Sequence, residues 1–287
     1  MYAYSFCLAL LLAITPSLYA DDYASVHANG AAATVHPLAT QAAIHALDQG
    51  GTAIDAAIAA AVTLGVVDGH NSGIGGGNFA VVRWADGRLE ALDGREQAPA
   101  AAHQDMFVHG GKGDIQLSTT GPLAVGIPGS VAVYEYMHQQ GGKLAWQDLI
   151  LPAADLAEQG FSLSASSANR IARTADKLRR FPASSKIFLD DQQQPLLAGT
   201  LLKQHDLANS YRLLAKHGGG YFYRGDFAKR VARWMNDNGG IISADDFSNY
   251  QMRKREPTMS EYRGFQIVGF PPPSSGGVHV AQILNIL

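Results

Sequence analysis

The sequence predicts an α+β chain, and three observations carry that prediction. Apolar runs at helical spacing recur, opened by proline or threonine and closed by paired glycines. Two short apolar runs, Phe79 to Trp84 and Leu89 to Leu92, are joined by Asp86-Gly87, a dipeptide that favours a tight hairpin. Between the richest helical run and that hairpin stand four glycines in five residues, Gly73-Ile74-Gly75-Gly76-Gly77, where the backbone must enter a close space.

The 287 residues are 47% hydrophobic, enough for one large core or two small ones. A net charge of -3 makes neither nucleic acid nor an anionic membrane the implied partner. Residues 1–20 read as a secretory signal: Phe6 to Ile14 is apolar but too short to span a bilayer, and Leu18-Tyr19-Ala20 places a small residue at the cut. No lysine or arginine precedes Arg83, so the usual positive n-region is reduced to the α-amino group. Cys7, the one cysteine, lies in that segment, which leaves residues 21–287 without disulfides or a thiol nucleophile. No other stretch approaches the ~18 apolar residues of a membrane span, and the expected location is periplasmic or secreted.

In chain order, Val26 to Ala33 suits a short strand and a turn. His36-Pro37 opens a helix that continues through Ala39 to Leu47 and stops at Gly50-Gly51. Thr52 caps a second helix with Asp55 as its capping-box partner, and Ala56 to Val67 is so rich in alanine that it reads as buried. After the hairpin, Gly110 to Asp114 reads as a loop and Leu117 to Val125 as extended chain. Helices follow over Ser130 to His138, Trp146 to Gln159, Asn169 to Arg180, Gly199 to His217 and Asp226 to Asn238. Ser243 caps a short one, and Glu261 to Phe270 is a turn and strand closed by Pro271-Pro272-Pro273. Val278 to Leu287 begins an apolar helix with Val280, Ile283, Leu284 and Leu287 on one face and no stop signal, so the chain is expected to be truncated at its C-terminus.

The chemistry-bearing residue types are mostly explained by structure. The glycine stretch is not a dinucleotide loop, because a helix precedes it and a strand follows, the reverse of the order that presents helix amides to a pyrophosphate. It also lacks the Gly-Lys-Ser/Thr ending of a P-loop. His27, His36 and His45 recur every nine residues, about two and a half helical turns, which sends them to opposite faces rather than to one metal. Asp48, Asp55 and Asp68 read as caps and turn residues. Ser72, Ser130 and Ser275 lie in no Gly-x-Ser-x-Gly elbow. The stripe Arg170, Arg173, Lys177, Arg179 and Arg180 reads as a solvated face or a subunit contact, and Tyr221-Phe222-Tyr223 as packing under a loop. Arg95 stands apart, just past the second hairpin strand, where its planar fork is placed to grip a carboxylate bidentately.

Gly73-Ile74-Gly75-Gly76-Gly77 followed by Leu92-Asp93-Gly94-Arg95-Glu96-Gln97-Ala98-Pro99-Ala100 resembles the N-terminal half of the γ-glutamyltransferase family, also called γ-glutamyltranspeptidases or glutathione hydrolases. Three further stretches agree in the same order: His36 to Thr40 with Gly50 to Ala57, Gly126 to Ser130, and Pro271 to Gly277. The resemblance implies an N-terminal-nucleophile hydrolase with a four-layer αββα fold, of which residues 21–287 are the N-terminal part of the large subunit. It implies self-cleavage into two subunits and a nucleophilic threonine at the new terminus, whose α-amino group can serve as base. It implies no cofactor and no metal. The substrates would be glutathione, other γ-glutamyl compounds and acceptor amino acids or peptides, with Arg95 pairing with the α-carboxylate of the glutamyl group. Thr34, Thr40, Thr52, Thr63, Thr119 and Thr120 do not match the self-cleavage signature, so no catalytic residue is expected within this chain. Two rivals remain: a cephalosporin or glutaryl acylase of the same fold, and an inactive secreted protein that binds glutamyl compounds. The match around Arg95 favours the γ-glutamyl enzyme.

Overall fold

A computed structural model describes the backbone of residues 24–27 and all of residues 30–287. The expected signal segment with Cys7 and the side chain of His27 lie outside the described residues. Strands β1 (Ala24–His27) and β2 (Gly30–Ala33) pair antiparallel. Helix α1 (Pro37–Asp48) starts with proline in its first turn and with His36 Nδ1 accepting the Leu38 amide at 3.3 Å.

Helix α2 (Ala53–Val67) carries the expected capping box, Asp55 Oδ2 accepting the Thr52 amide at 2.7 Å. Asp55 is buried outright because its carboxylate also accepts the amides of Lys143 and Leu144, so one cap fastens two distant segments. With alanine at most other positions, α2 packs closely against neighbours on nearly every side. Ile58, Val62 and Val66 vanish into that core, each contributing about 1.5–3 kcal/mol of burial.

The hairpin β3 (Phe79–Arg83) and β4 (Leu89–Asp93) pairs Phe79 with Asp93 and Arg83 with Leu89. Ala80, Val82 and Leu92 share one face, while Phe79 and Val81, both exposed, share the other with the buried Ala91 and Asp93.

The segment beyond the hairpin corrects the sequence reading. Gly110 to Asp114 is not a plain loop: β5 (Val108–His109) and β6 (Lys112–Gly113) form a minimal hairpin around Gly110-Gly111. Leu117 to Val125 is not extended either, since it holds α3 (Ile115–Thr119) and a 3-10 turn at Pro122–Ala124. Asp114 supplies the missing signal by accepting the Gln116 amide at 2.8 Å, and the Thr119 hydroxyl donates back to the Ile115 carbonyl.

Helices α4 (Ser130–Gly141) and α5 (Trp146–Gln159) follow as expected. After β7 (Phe161–Ser162), α6 (Ala165–Arg179) starts at Ser164, whose hydroxyl accepts the Ser167 amide. The short α7 (Pro182–Phe188) was not anticipated. Gly199 opens no helix: Leu201–Leu202 is strand β8, paired with β7, and α8 (His205–Tyr223) begins after it. At Gly218 (φ 63) the backbone leaves helical geometry, so α8 is two helical segments that meet at a kink, and Tyr221, Phe222 and Tyr223 belong to the second. Phe222 is fully buried and stacks on Phe227 of α9 (Asp226–Asp237) at 4.2 Å between centroids.

Helix α10 (Ala244–Ser248) has a second capping box, Ser243 with Asp246. It leads into β9 (Arg253–Arg255), which pairs with β4 to complete the sheet in the order β3-β4-β9. The hairpin β10 (Thr258–Tyr262) and β11 (Phe265–Gly269) then carries α11 (Gly276–Ile286).

Candidate substrate site

The glycine stretch is a main-chain clamp between the hairpin and α4. The Gly76 carbonyl accepts the amides of Gly129 and Ser130, each at 3.1 Å, which fixes the start of α4 beside it. Asn78 and Gly94 exchange both backbone hydrogen bonds, extending the β3–β4 ladder by one pair. Glu96 reaches back to accept the Gly77 amide through Oε1 at 2.7 Å. A Cβ on Gly77 would stand 3.0 Å from Arg95 Cα and close on Glu96 Oε2, so the approach requires glycine.

Arg95 emerges from this clamp with its main chain held on both sides. Its amide donates to Asp93 Oδ1 at 2.9 Å, and its carbonyl accepts the Tyr250 hydroxyl at 2.9 Å. Asp93 is buried because its other oxygen takes Arg255 Nε at 2.6 Å, a charge-assisted pair that satisfies it away from water. Next door, Gln97 and Ile127 exchange backbone bonds, and Gln97 Nε2 donates to the Gln251 carbonyl. The Arg95 side chain is exposed and has no carboxylate partner among the described residues. It lines an open cavity of about 400 Å³ together with Asp93, Glu96, Arg253, Arg255 and Pro273. A pre-positioned arginine without an ion-pair partner of its own, in a concave site where three guanidiniums face two carboxylates, can take an anionic group.

Tyr250 links the site to the core. Its ring stacks on Tyr223 at 5.5 Å and 10° between planes, and the Tyr223 hydroxyl donates to the Pro128 carbonyl at 3.0 Å while accepting the Ala132 amide. Partial burial, with the charges of Asp93 and Glu96 nearby, pushes the Tyr250 hydroxyl up to about 12, so it stays a donor throughout the physiological range. Tyr250→Phe should therefore cost about 1 kcal/mol of stability, the net worth of one hydrogen bond, read as a lower denaturation midpoint at unchanged slope.

Several of the other residues singled out in the sequence have structural partners. Asp68 caps the end of α2, pairs with His70 Nε2 at 3.2 Å and accepts from Asn71. His45 Nε2 meets Gln49 Nε2 at 3.0 Å, and the Thr63 hydroxyl donates to the Ala59 carbonyl. Arg179 is tied to Asp176 at 2.6 Å, while Arg170 and Arg173 border a second cavity of about 510 Å³ walled by Val66, Phe161, Leu163 and Ile171. That larger cavity is chiefly apolar, whereas the smaller one gathers charged groups around a fixed backbone. Among the described residues no three His, Cys, Asp or Glu side chains come together as a metal set, and no helix is long and apolar enough to cross a membrane.

Sequence reasoning named Arg95 but missed Asp93, Tyr250, Arg253 and Arg255. The last three lie more than 150 residues further along the chain, and only tertiary structure brings them to Arg95.

The γ-glutamyltranspeptidase family model matches residues 39–287. The glutathione hydrolase proenzyme of Pseudomonas sp. (strain A14) is 38% identical over 94% of this chain and 48% of its own length. The acylase ACY 1 proenzyme of Pseudomonas sp. (strain V22) is also 38% identical, over 90% of this chain and 47% of its own. The solved γ-glutamyltranspeptidase of Helicobacter pylori superposes with a TM-score of 0.85 at 38% identity, covering 88% of this chain and 73% of that one. The fold is thus the large-subunit part of an N-terminal-nucleophile hydrolase, and the chain spans about half the length of the curated relatives it matches. On the matched model, the identities and the superposition together, this chain belongs to the γ-glutamyltranspeptidase family.

Proposed function

We propose that this chain is the donor-binding part of a γ-glutamyltransferase and glutathione hydrolase. The observation that carries the reading is Arg95: main chain pinned at both sides, guanidinium unpaired among the described residues, side chain on a concave cationic site. A guanidinium fork there would take the α-carboxylate of a glutamyl group and hold the far γ-amide in one position, the entropic part of catalysis. A threonine hydroxyl from the remainder of the precursor attacks the γ-carbonyl carbon. The C–N bond then breaks, the leaving amine takes up a proton, and the γ-glutamyl ester passes to water or to an amine acceptor.

The uncovered apolar surface supports a partner from the same precursor. Phe79 and Val81 on β3, and Val280, Ile283 and Ile286 on α11, are exposed, and such patches mark interaction surfaces. The N-terminal apolar run supports export to the periplasm or beyond.

The second reading, an acylase, is kept by the equal identity to the acylase ACY 1 proenzyme. The two separate on paired donors assayed with the full-length protein: γ-glutamyl and glutaryl anilides, of which only the first carries an α-amino group beside its carboxylate. Faster turnover of the γ-glutamyl anilide is expected, and preference for the glutaryl compound would reverse the assignment. An inactive binder would bind glutamate yet turn over neither. Residues 21–287 alone are expected to leave both anilides intact. Turnover by that fragment, abolished by a single threonine substitution within it, would place the nucleophile inside the chain.

A further inference from the structure

We propose that Arg253 is a second carboxylate anchor of the Arg95 cavity, the residue that takes the carboxylate carried by the leaving group of a γ-glutamyl peptide. The inference rests on Arg95 as the donor anchor and adds a specificity-determining residue to it. Strand β9 places Arg253 directly across from Asp93, with Arg255 two residues on and therefore on the same face. Lys254, on the opposite face, is used up: its ammonium lies 3.4 Å from Glu90 Oε1 and 4.4 Å from the centroid of the Tyr136 ring.

The charges on the cavity wall do not cancel locally. Asp93 is committed to Arg255 and to the Arg95 amide; Glu96 accepts the Gly77 amide through Oε1 and keeps its negative charge, so three guanidiniums against two carboxylates leave the wall one net positive charge. Two guanidiniums are left over, Arg95 and Arg253, both exposed and both lining one cavity without an ion-pair partner among the described residues. One carboxylate satisfies one of them. A ligand with carboxylates at both ends, such as glutathione, satisfies both, whereas a γ-glutamyl anilide offers only its α-carboxylate.

The test compares KM for glutathione and for γ-glutamyl-p-nitroanilide in the full-length enzyme. Arg253→Ala should raise KM for glutathione about tenfold, the loss expected for a partly solvated charge-assisted hydrogen bond, and raise the anilide value far less. Arg253→Lys should recover most of the loss, and added salt should shrink the difference between wild type and Arg253→Ala. Equal effects on the two donors, or none on either, would overturn the proposal while Arg95→Ala still weakens both. No effect of Arg95→Ala on either donor would instead remove the donor site itself, and this inference with it.

Discussion

Replacing Arg95 by alanine in the full-length protein is expected to weaken binding of every γ-glutamyl donor by about 2 to 5 kcal/mol, the cost of removing one partner of a desolvated charge pair. The loss should fall on KM, because the α-carboxylate is remote from the bond that breaks and is gripped equally in ground and transition states. Arg95→Lys should restore only part of it, since an ammonium keeps the charge but not the bidentate geometry. Folding should hardly change: the side chain is exposed, and the bonds that fix the segment come from its amide and carbonyl, which any residue retains. An unchanged KM in a variant that melts like the wild type would take Arg95 out of the site.

That separation of duties explains what could be read from the sequence. Local signals were legible wherever a short stretch carried its own reason for a structure. Thr52 and Asp55 announced α2 by their spacing, Asp86-Gly87 announced the hairpin turn, and Ser243 announced α10. Where the reason lay elsewhere in the chain, the reading failed. Arg253-Lys254-Arg255 carried no local signal at all, yet it is a strand, with Asp93 and Glu90 on β4 supplying acids to opposite faces of it. Gly199 to Gln204 looked helical by its leucines, but Leu201 and Leu202 pair with Phe161 and Ser162 far upstream. Gly218 does end the first helical segment, as the three glycines suggest; what they do not show is the second segment, where the Gly219 amide donates to Glu135 Oε1 at 3.1 Å and the aromatics beyond are buried.

The site divides along the same line. Arg95 was visible because its flanking words sit in one contiguous stretch. Its support was not, because Tyr250 and Arg255 reach it from the end of a different chain segment, through a hydroxyl and a guanidinium that no spacing rule connects to it. The sequence therefore exposed the residue proposed to meet the donor and concealed those that hold its backbone in place.

The glycines give the sharpest test of that aiming. Gly129→Ala is expected to destabilise the fold by about 3 kcal/mol, at the upper end of overpacking in a tight core. A Cβ on Gly129 would overlap the Gly94 carbonyl oxygen and the Tyr250 hydroxyl. Relief would push Tyr250 off the Arg95 carbonyl or break the Gly129 amide bond to Gly76, and either movement shifts the segment that presents Arg95. Gly75, inside the four-glycine stretch, is the control: a Cβ there meets nothing within 4 Å, and its φ is not in the left-handed region. Gly75→Ala should stay within about 0.5 kcal/mol of the wild type and leave donor KM unchanged. Urea melts of the two variants, with KM for a γ-glutamyl anilide at a temperature where both are folded, decide the matter. If Gly75→Ala proved as damaging as Gly129→Ala, the stretch would be acting through backbone freedom at every glycine, and close approach at the Gly76–Gly129 contact would not be its cause.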